Sequence, residues 1–285
     1  MTTARDDIRQ ICLPPFRHLL DRLPALHVTD FYDDPFEPYL HHQNVAKSWD
    51  TDPLTVLAGR RGGRVLDIGC GRGRVALALA RAGLYVTAVD NSRAATTRLV
   101  AHLAEHPELA ARTRVVHQDF FDADGDLGEG YATAVLGDTS VNMFADAESL
   151  TSLLHRVRSL LAPEGVFCFA VLAETALPTY VGRNGVLATD FTDDDGIRHL
   201  LFAALRHDPA GPYFSRTLFA PEGTRDDGEP VAYLAAVRER LWTPQTLEPH
   251  AHAAGFAIID SVPAVARDDK AGRVDTEILV LAPRG

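Results

Sequence analysis

The feature that most constrains this chain is a rhythm. From residue 63 to 172, short apolar runs alternate with helical stretches, and the compact solution for that alternation is a parallel sheet joined by crossover helices. The spacing predicts strands at 64–68, 85–90, 114–117, 131–136 and 165–172. Helices fall at 75–82, 92–106 and 147–161, with Ser92 placed as a cap and Pro163-Glu164-Gly165 as the turn before the fifth strand. Between 174 and 242 the rhythm fails in a segment rich in Gly, Pro and Asp, which reads as an insertion. Thr243-Pro244 then supplies an N-cap and first helical residue, Gly255 ends that helix, and 256–262 with 276–281 read as a closing hairpin.

The expected architecture is therefore α/β: a doubly wound, seven-stranded, mostly parallel sheet of Rossmann-like type. A helical cover occupies 1–60, the core 61–173, a substrate-binding insertion 174–242, and a C-terminal helix with the closing hairpin 243–285. Within the cover, apolar residues at 8–23 follow helical spacing broken by Pro14-Pro15, and 31–42 is dense in aromatics and acids, ending in His41-His42.

Composition removes several classes of function. With 28 basic against 39 acidic residues and a net charge of −11, the chain lacks the basic footprint that holds a nucleic-acid backbone. A small-molecule or neutral peptide partner fits better. Cys12, Cys70 and Cys168 are scattered without CxxC or Cys/His clustering, so neither a disulfide framework nor a metal site is expected. No 18-residue apolar run is present and the first residues carry acids, so the expectation is a cytoplasmic protein without membrane association, as monomer or homodimer.

The chemistry should sit in Val65-Leu66-Asp67-Ile68-Gly69-Cys70-Gly71-Arg72-Gly73, a strand running into a glycine turn and then a helix. Gly69 and Gly71 let backbone approach a ligand beyond the carboxyl end of the strand, although a bare tight turn would use the same residues. A dinucleotide turn spaces its glycines G-x-G-x-x-G to seat a pyrophosphate, whereas here the third glycine comes one residue earlier. Asp67 would repel a pyrophosphate but suits a ligand carrying an ammonium and a sulfonium. Asp90 ends the next strand, placed to accept both hydroxyls of a ribose, while Asp119 and Phe120 follow the third strand, where an acid and a ring would serve an adenine.

These residues resemble the class I S-adenosylmethionine (SAM)-dependent methyltransferases. Asp67, Gly69, Gly71 and Gly73 match the acid and glycines of that family's first motif, and Asp90 its ribose-binding acid. Asp119-Phe120 match the adenine-side pair, Gly137-Asp138-Thr139-Ser140 the fourth motif, and 160–165 the turn before the fifth strand. The resemblance implies SAM as cofactor, with Cys70, Asn91 and Gly137 completing its site. The overall layout is similar to bacterial natural-product N-methyltransferases acting on amines or sugars. It implies in-line transfer to a small-molecule or peptide amine, with Asp138 or Asn142 accepting a hydrogen bond from the acceptor. A hydroxyl acceptor would need a base, for which His41, His42 and Tyr180 are the candidates. Alternatives outside this class are a non-catalytic SAM-binding subunit and a nicotinamide oxidoreductase.

Overall fold

A computed structural model describes residues 4–23, 25–45, 47–122, 125, 127–224, 228–268 and 272–284. In chain order the elements are α1 (Ala4–Ile11), α2 (Pro14–Arg22), β1 (Leu26–Val28), α3 (Glu37–Asn44), α4 (Thr51–Arg61), β2 (Arg64–Ile68), α5 (Arg74–Arg81), β3 (Tyr85–Asp90), α6 (Arg93–Ala104), α7 (Pro107–Ala110) and β4 (Thr113–His117). There follow β5 (Tyr131–Leu136), α8 (Ala147–Leu160), β6 (Leu161–Leu172), α9 (Leu177–Tyr180), β7 (Asn184–Thr192), β8 (Arg198–Asp208), β9 (Tyr213–Thr224), β10 (Pro230–Arg240), α10 (Pro244–Ala253), β11 (Phe256–Asp268) and β12 (Gly272–Pro283). The chain divides into two compact units, one of 44–179 with 241–285 and the other of 1–43 with 180–240.

The first of these holds the expected seven-stranded sheet, in the order β11-β12-β6-β5-β2-β3-β4. Pairing is parallel from β6 through β4, and β12 runs antiparallel to both its neighbours. Successive residues of β2, β5 and β6 feed opposite faces. Leu66, Ile68, Leu136, Phe167 and Phe169 pack toward α8 and α10, while Val65, Val135, Val166 and Cys168 pack toward α4, α5 and α6. Burial on both faces explains why these strands read as continuous apolar runs. Ser92 caps α6 by accepting the Ala95 N–H, and Thr243 caps α10 in a reciprocal pair with Thr246.

Two boundaries differ from expectation. The fifth parallel strand begins at Leu161, so Pro163-Glu164-Gly165 lies inside it, because its register against β5 slips between Tyr131 and Thr133 and a bulge absorbs the turn residues. The closing hairpin is longer than the apolar pattern marks, with a second bulge between Ile258 and Asp260.

In the other unit, the segment expected as an insertion over 174–242 is largely strand. Strands β7 to β10 form an antiparallel meander, joined by β1 parallel to β10, in the order β1-β10-β9-β8-β7. Side chains alternate between two apolar clusters. Phe202, Phe219 and Leu234 face α1 and α2 with Phe16 and Leu20, whereas Leu201, Leu218 and Ala235 face Phe31, Phe36 and Tyr39. Among the described residues, no helix is long and apolar enough to cross a membrane.

Candidate functional site

Chain order turns back at β2, whose neighbours are β3 on one side and β5 on the other, so the crevice of this sheet lies beyond the carboxyl ends of those three strands. The turn leaving β2 passes through the left-handed region at Gly69 (φ 65°), Gly71 (φ 54°) and Gly73 (φ 87°). The glycines have different reasons. A Cβ on Gly73 would stand 2.5 Å from Leu99, which is a packing constraint, whereas one on Gly71 would meet no atom within 4 Å. Gly71 is therefore held by backbone conformation and leaves open space above the turn.

Asp90 secures that turn from β3. Its Oδ2 accepts the Gly71 N–H at 2.7 Å and its Oδ1 accepts the Ser92 N–H at 2.8 Å. Asp67 sits beneath the turn, 1% exposed, and its Oδ2 has no hydrogen-bond partner. Burial pushes its carboxyl up to about 7, against the opposing pull of the Arg74 guanidinium and the Ala76 N–H in the first turn of α5. The Cys70 thiol is pushed well above its ordinary range by burial and by the charges of Asp67 and Asp90, which makes it inert as a nucleophile. The Asn91 carbonyl contacts the His117 ring nitrogen at 3.1 Å, and Asp119 Oδ1 accepts the Phe121 N–H at 2.8 Å. Phe120 is buried in the core beside Ile68 and Val89, and the neighbouring Phe121 carries the exposed ring.

The turn after β5 is built on charge. Asp138 is left-handed (φ 54°), and its N–H donates to Asp50 Oδ2 at 2.6 Å. Its own carboxylate receives Lys47 Nζ at 3.0 Å. Partial burial raises this carboxyl, but the Lys47 ammonium and the Arg74 guanidinium outweigh it, so Asp138 lies below the ordinary carboxylate range and is an anion at neutral pH. Asp50 is completely buried and takes both Arg74 amino groups, one of them on Oδ2 at 2.8 Å. Arg74 also donates to the Lys47 carbonyl at 3.2 Å and to Thr51 Oγ1 at 2.6 Å. A Cβ on Gly137 would come within 3.1 Å of Val75 and 3.2 Å of Arg74, so glycine there makes room for this pair.

Sequence reasoning missed Lys47, Asp50 and Arg74. Arg74 could have been found as the residue adjoining the glycine turn, while Asp50 lies outside every periodic pattern. Asn142 is 5% exposed and its Oδ1 accepts the Trp242 backbone N–H at 3.2 Å, which commits it to holding the two chain segments together.

The two histidines lie in the other unit. His41 Nε2 is 3.5 Å from Asp194 Oδ2, and the His42 ring stacks on Phe191 with centroids 4.7 Å apart. Phe191 stacks in turn on His199, whose Nε2 contacts Asp193 Oδ2 at 2.8 Å. The Tyr180 ring meets Phe214 edge-on in the same unit. Among the described residues, no three or more His, Cys, Asp or Glu side chains converge to hold a metal ion.

Comparison with known proteins agrees with the motif reading. Residues 65–165 match the family described as "Methyltransferase domain". Over 129 residues the chain is 32% identical to the ubiquinone biosynthesis O-methyltransferase of Alkalilimnicola ehrlichii, covering 43% of this chain and 49% of that protein. The chain thus spans about half the length of this curated relative. The CcbJ methyltransferase of Streptomyces caelestis shares the fold with a TM-score of 0.63 at 20% identity, covering 85% of this chain and 92% of that one. The glycopeptide N-methyltransferase MtfA, solved with sinefungin, does so at 0.56 and 20% identity over 100% of this chain and 99% of its own.

Proposed function

We propose that this chain is a SAM-dependent methyltransferase that transfers a methyl group in line to an amine of a small molecule or peptide in specialised metabolism. The observation that carries this reading is an open left-handed turn at Gly71 following the strand that bears Asp67, whose Oδ2 has no hydrogen-bond partner, and tied to Asp90. That set fits SAM: a cationic group would satisfy Asp67 Oδ2, and the ribose hydroxyls would meet the Asp90 carboxylate at the end of β3. Gly69, Cys70, Gly71 and Gly73 would line the cradle, Asn91, Asp119 and Phe120 the adenosine side, and Gly137 the edge toward the acceptor. The bound cofactor supplies a methyl group already activated on a sulfonium, so little acid–base work is left to the protein.

Positioning then carries most of the rate, and well-oriented groups are worth up to about 7–11 kcal/mol. Asp138, anionic and fixed by Asp50 and Lys47, orients an acceptor N–H by accepting a hydrogen bond. The amine likeness rests on the N-methyltransferase MtfA among structures of the same fold. A second reading, methylation of a hydroxyl with His41 or His42 as base, is supported by the O-methyltransferase among the sequence relatives.

Calorimetric titration with S-adenosylhomocysteine, with NAD as control, tests the cofactor: micromolar binding of the former alone is expected, and binding of NAD alone would overturn the reading. Transfer of labelled methyl to matched amines and alcohols then separates the two acceptors. A nitrogen acceptor should turn over without either histidine.

A further inference from the structure

The buried charges beneath the glycine turn form one set. Asp67 is 1% exposed with an unpartnered Oδ2, and a carboxylate so placed is costly unless a positive charge faces it. The groups that reach it are the Arg74 guanidinium and Ala76 N–H of α5, the Asp90 carboxylate at the end of β3, the Asp50 carboxylate ahead of α4, and the Cys70 thiol of the glycine turn, which burial keeps protonated. Arg74 supplies the one positive charge among them. It is not free to turn away, because Asp50 holds both its amino groups and Thr51 and the Lys47 carbonyl hold one of them again. The same Asp50 oxygen receives the Asp138 N–H, so one carboxylate braces the cofactor side and the acceptor side of the crevice together.

Resting on the SAM reading above, we infer that Arg74, clamped by Asp50, is a positioning residue that keeps the buried Asp67 fit to receive the cationic group of the cofactor. Binding of that group is then coupled to loss of a proton from Asp67, whose carboxyl burial raises to about 7. The affinity climbs as pH rises through that value and is flat well above it. The two braces act with opposite sign. Removing the Arg74 charge leaves only the Ala76 N–H to offset the acids Asp90 and Asp50, and raises the pH it needs. Neutralising Asp50 leaves Arg74 uncompensated and lowers it.

The test is calorimetric titration with S-adenosylhomocysteine, whose ammonium keeps its charge throughout, from pH 5.5 to 8.5. Wild type, Arg74→Met and Asp50→Asn are compared, and the wild type is repeated in two buffers of different ionisation enthalpy. The expected result is a wild-type midpoint near 7 with a proton released on binding, a midpoint at least one unit higher and affinity at least tenfold weaker at pH 7 for Arg74→Met, and a lower midpoint for Asp50→Asn. A purely structural role would weaken both variants without moving their midpoints apart, and would overturn the inference. If neither variant folds, the wild-type proton count still decides: affinity independent of pH with no proton released overturns it. No binding at any pH overturns the methyl-donor reading itself.

Discussion

In the seven-stranded sheet each covering helix is a close neighbour in sequence of the strand it protects, as α5 follows β2 and α8 precedes β6. The five-stranded sheet is covered instead by α1, α2 and the 31–40 segment, which lie more than a hundred residues before the meander they protect. Both sheets are apolar on both faces, yet one is assembled from local contacts and the other from distant ones. The distinction bears on function as well as folding, because local βα connections place backbone turns at the carboxyl ends of strands, where a ligand is read. An antiparallel meander offers side-chain surface on its faces and no such row of turns.

If the cradle belongs to the local sheet alone, damage to each region should have separate consequences. The largest effect is expected at Gly71→Val, which puts a β-branched residue at φ 54° and should abolish S-adenosylhomocysteine binding in calorimetry. Asp90→Ala, which frees the Gly71 N–H, should weaken that binding by about two orders of magnitude, as expected for a charged hydrogen-bond acceptor worth about 1.5–3 kcal/mol. In the other unit, Leu234→Ala empties a fully buried position and should cost about 2–5 kcal/mol in denaturant unfolding. Its affinity for S-adenosylhomocysteine should stay within twofold, and a tenfold loss would contradict a cradle confined to the seven-stranded sheet.

Asp67→Asn sharpens the comparison because stability and binding should part company. The folded protein favours the protonated acid, so the stability this group contributes is fully present below pH about 4 and is lost as pH rises through about 7. Above that, the buried anion costs up to about 4 kcal/mol at roughly 1.4 kcal/mol per unit. The variant should therefore melt higher than wild type at pH 8, match it at pH 4, and bind S-adenosylhomocysteine at least tenfold more weakly. The smallest effect is expected from Ser92→Ala, which removes the cap of α6 for about 1 kcal/mol.

How much of this was legible follows from the same contrast. Strands 64–68, 85–90 and 131–136 could be bounded from sequence because they are largely buried and glycines stand beside them, at Gly63, Gly69, Gly83, Gly130 and Gly137. Strand β8, Arg198–Asp208, defeats such reading: its Leu-Leu-Phe-Ala-Ala-Leu run suits a helix by propensity, and its two faces, both apolar, show no alternation of polarity. In the site, glycines and strand-end acids carry a local signature. Asp50 and Lys47 do not, since their role arises only when the chain returns to place Arg74 and Asp138 beside them.

The division of the second unit between 1–43 and 180–240 also sets a timetable. During synthesis the apolar faces of α1 and α2, with Ile8, Phe16 and Leu20, emerge well before the strands that cover them. At about 5–20 residues per second, the interval from Gln43 to Tyr180 is on the order of ten seconds. The nascent chain thus carries an uncovered apolar segment while the seven-stranded core is already being made.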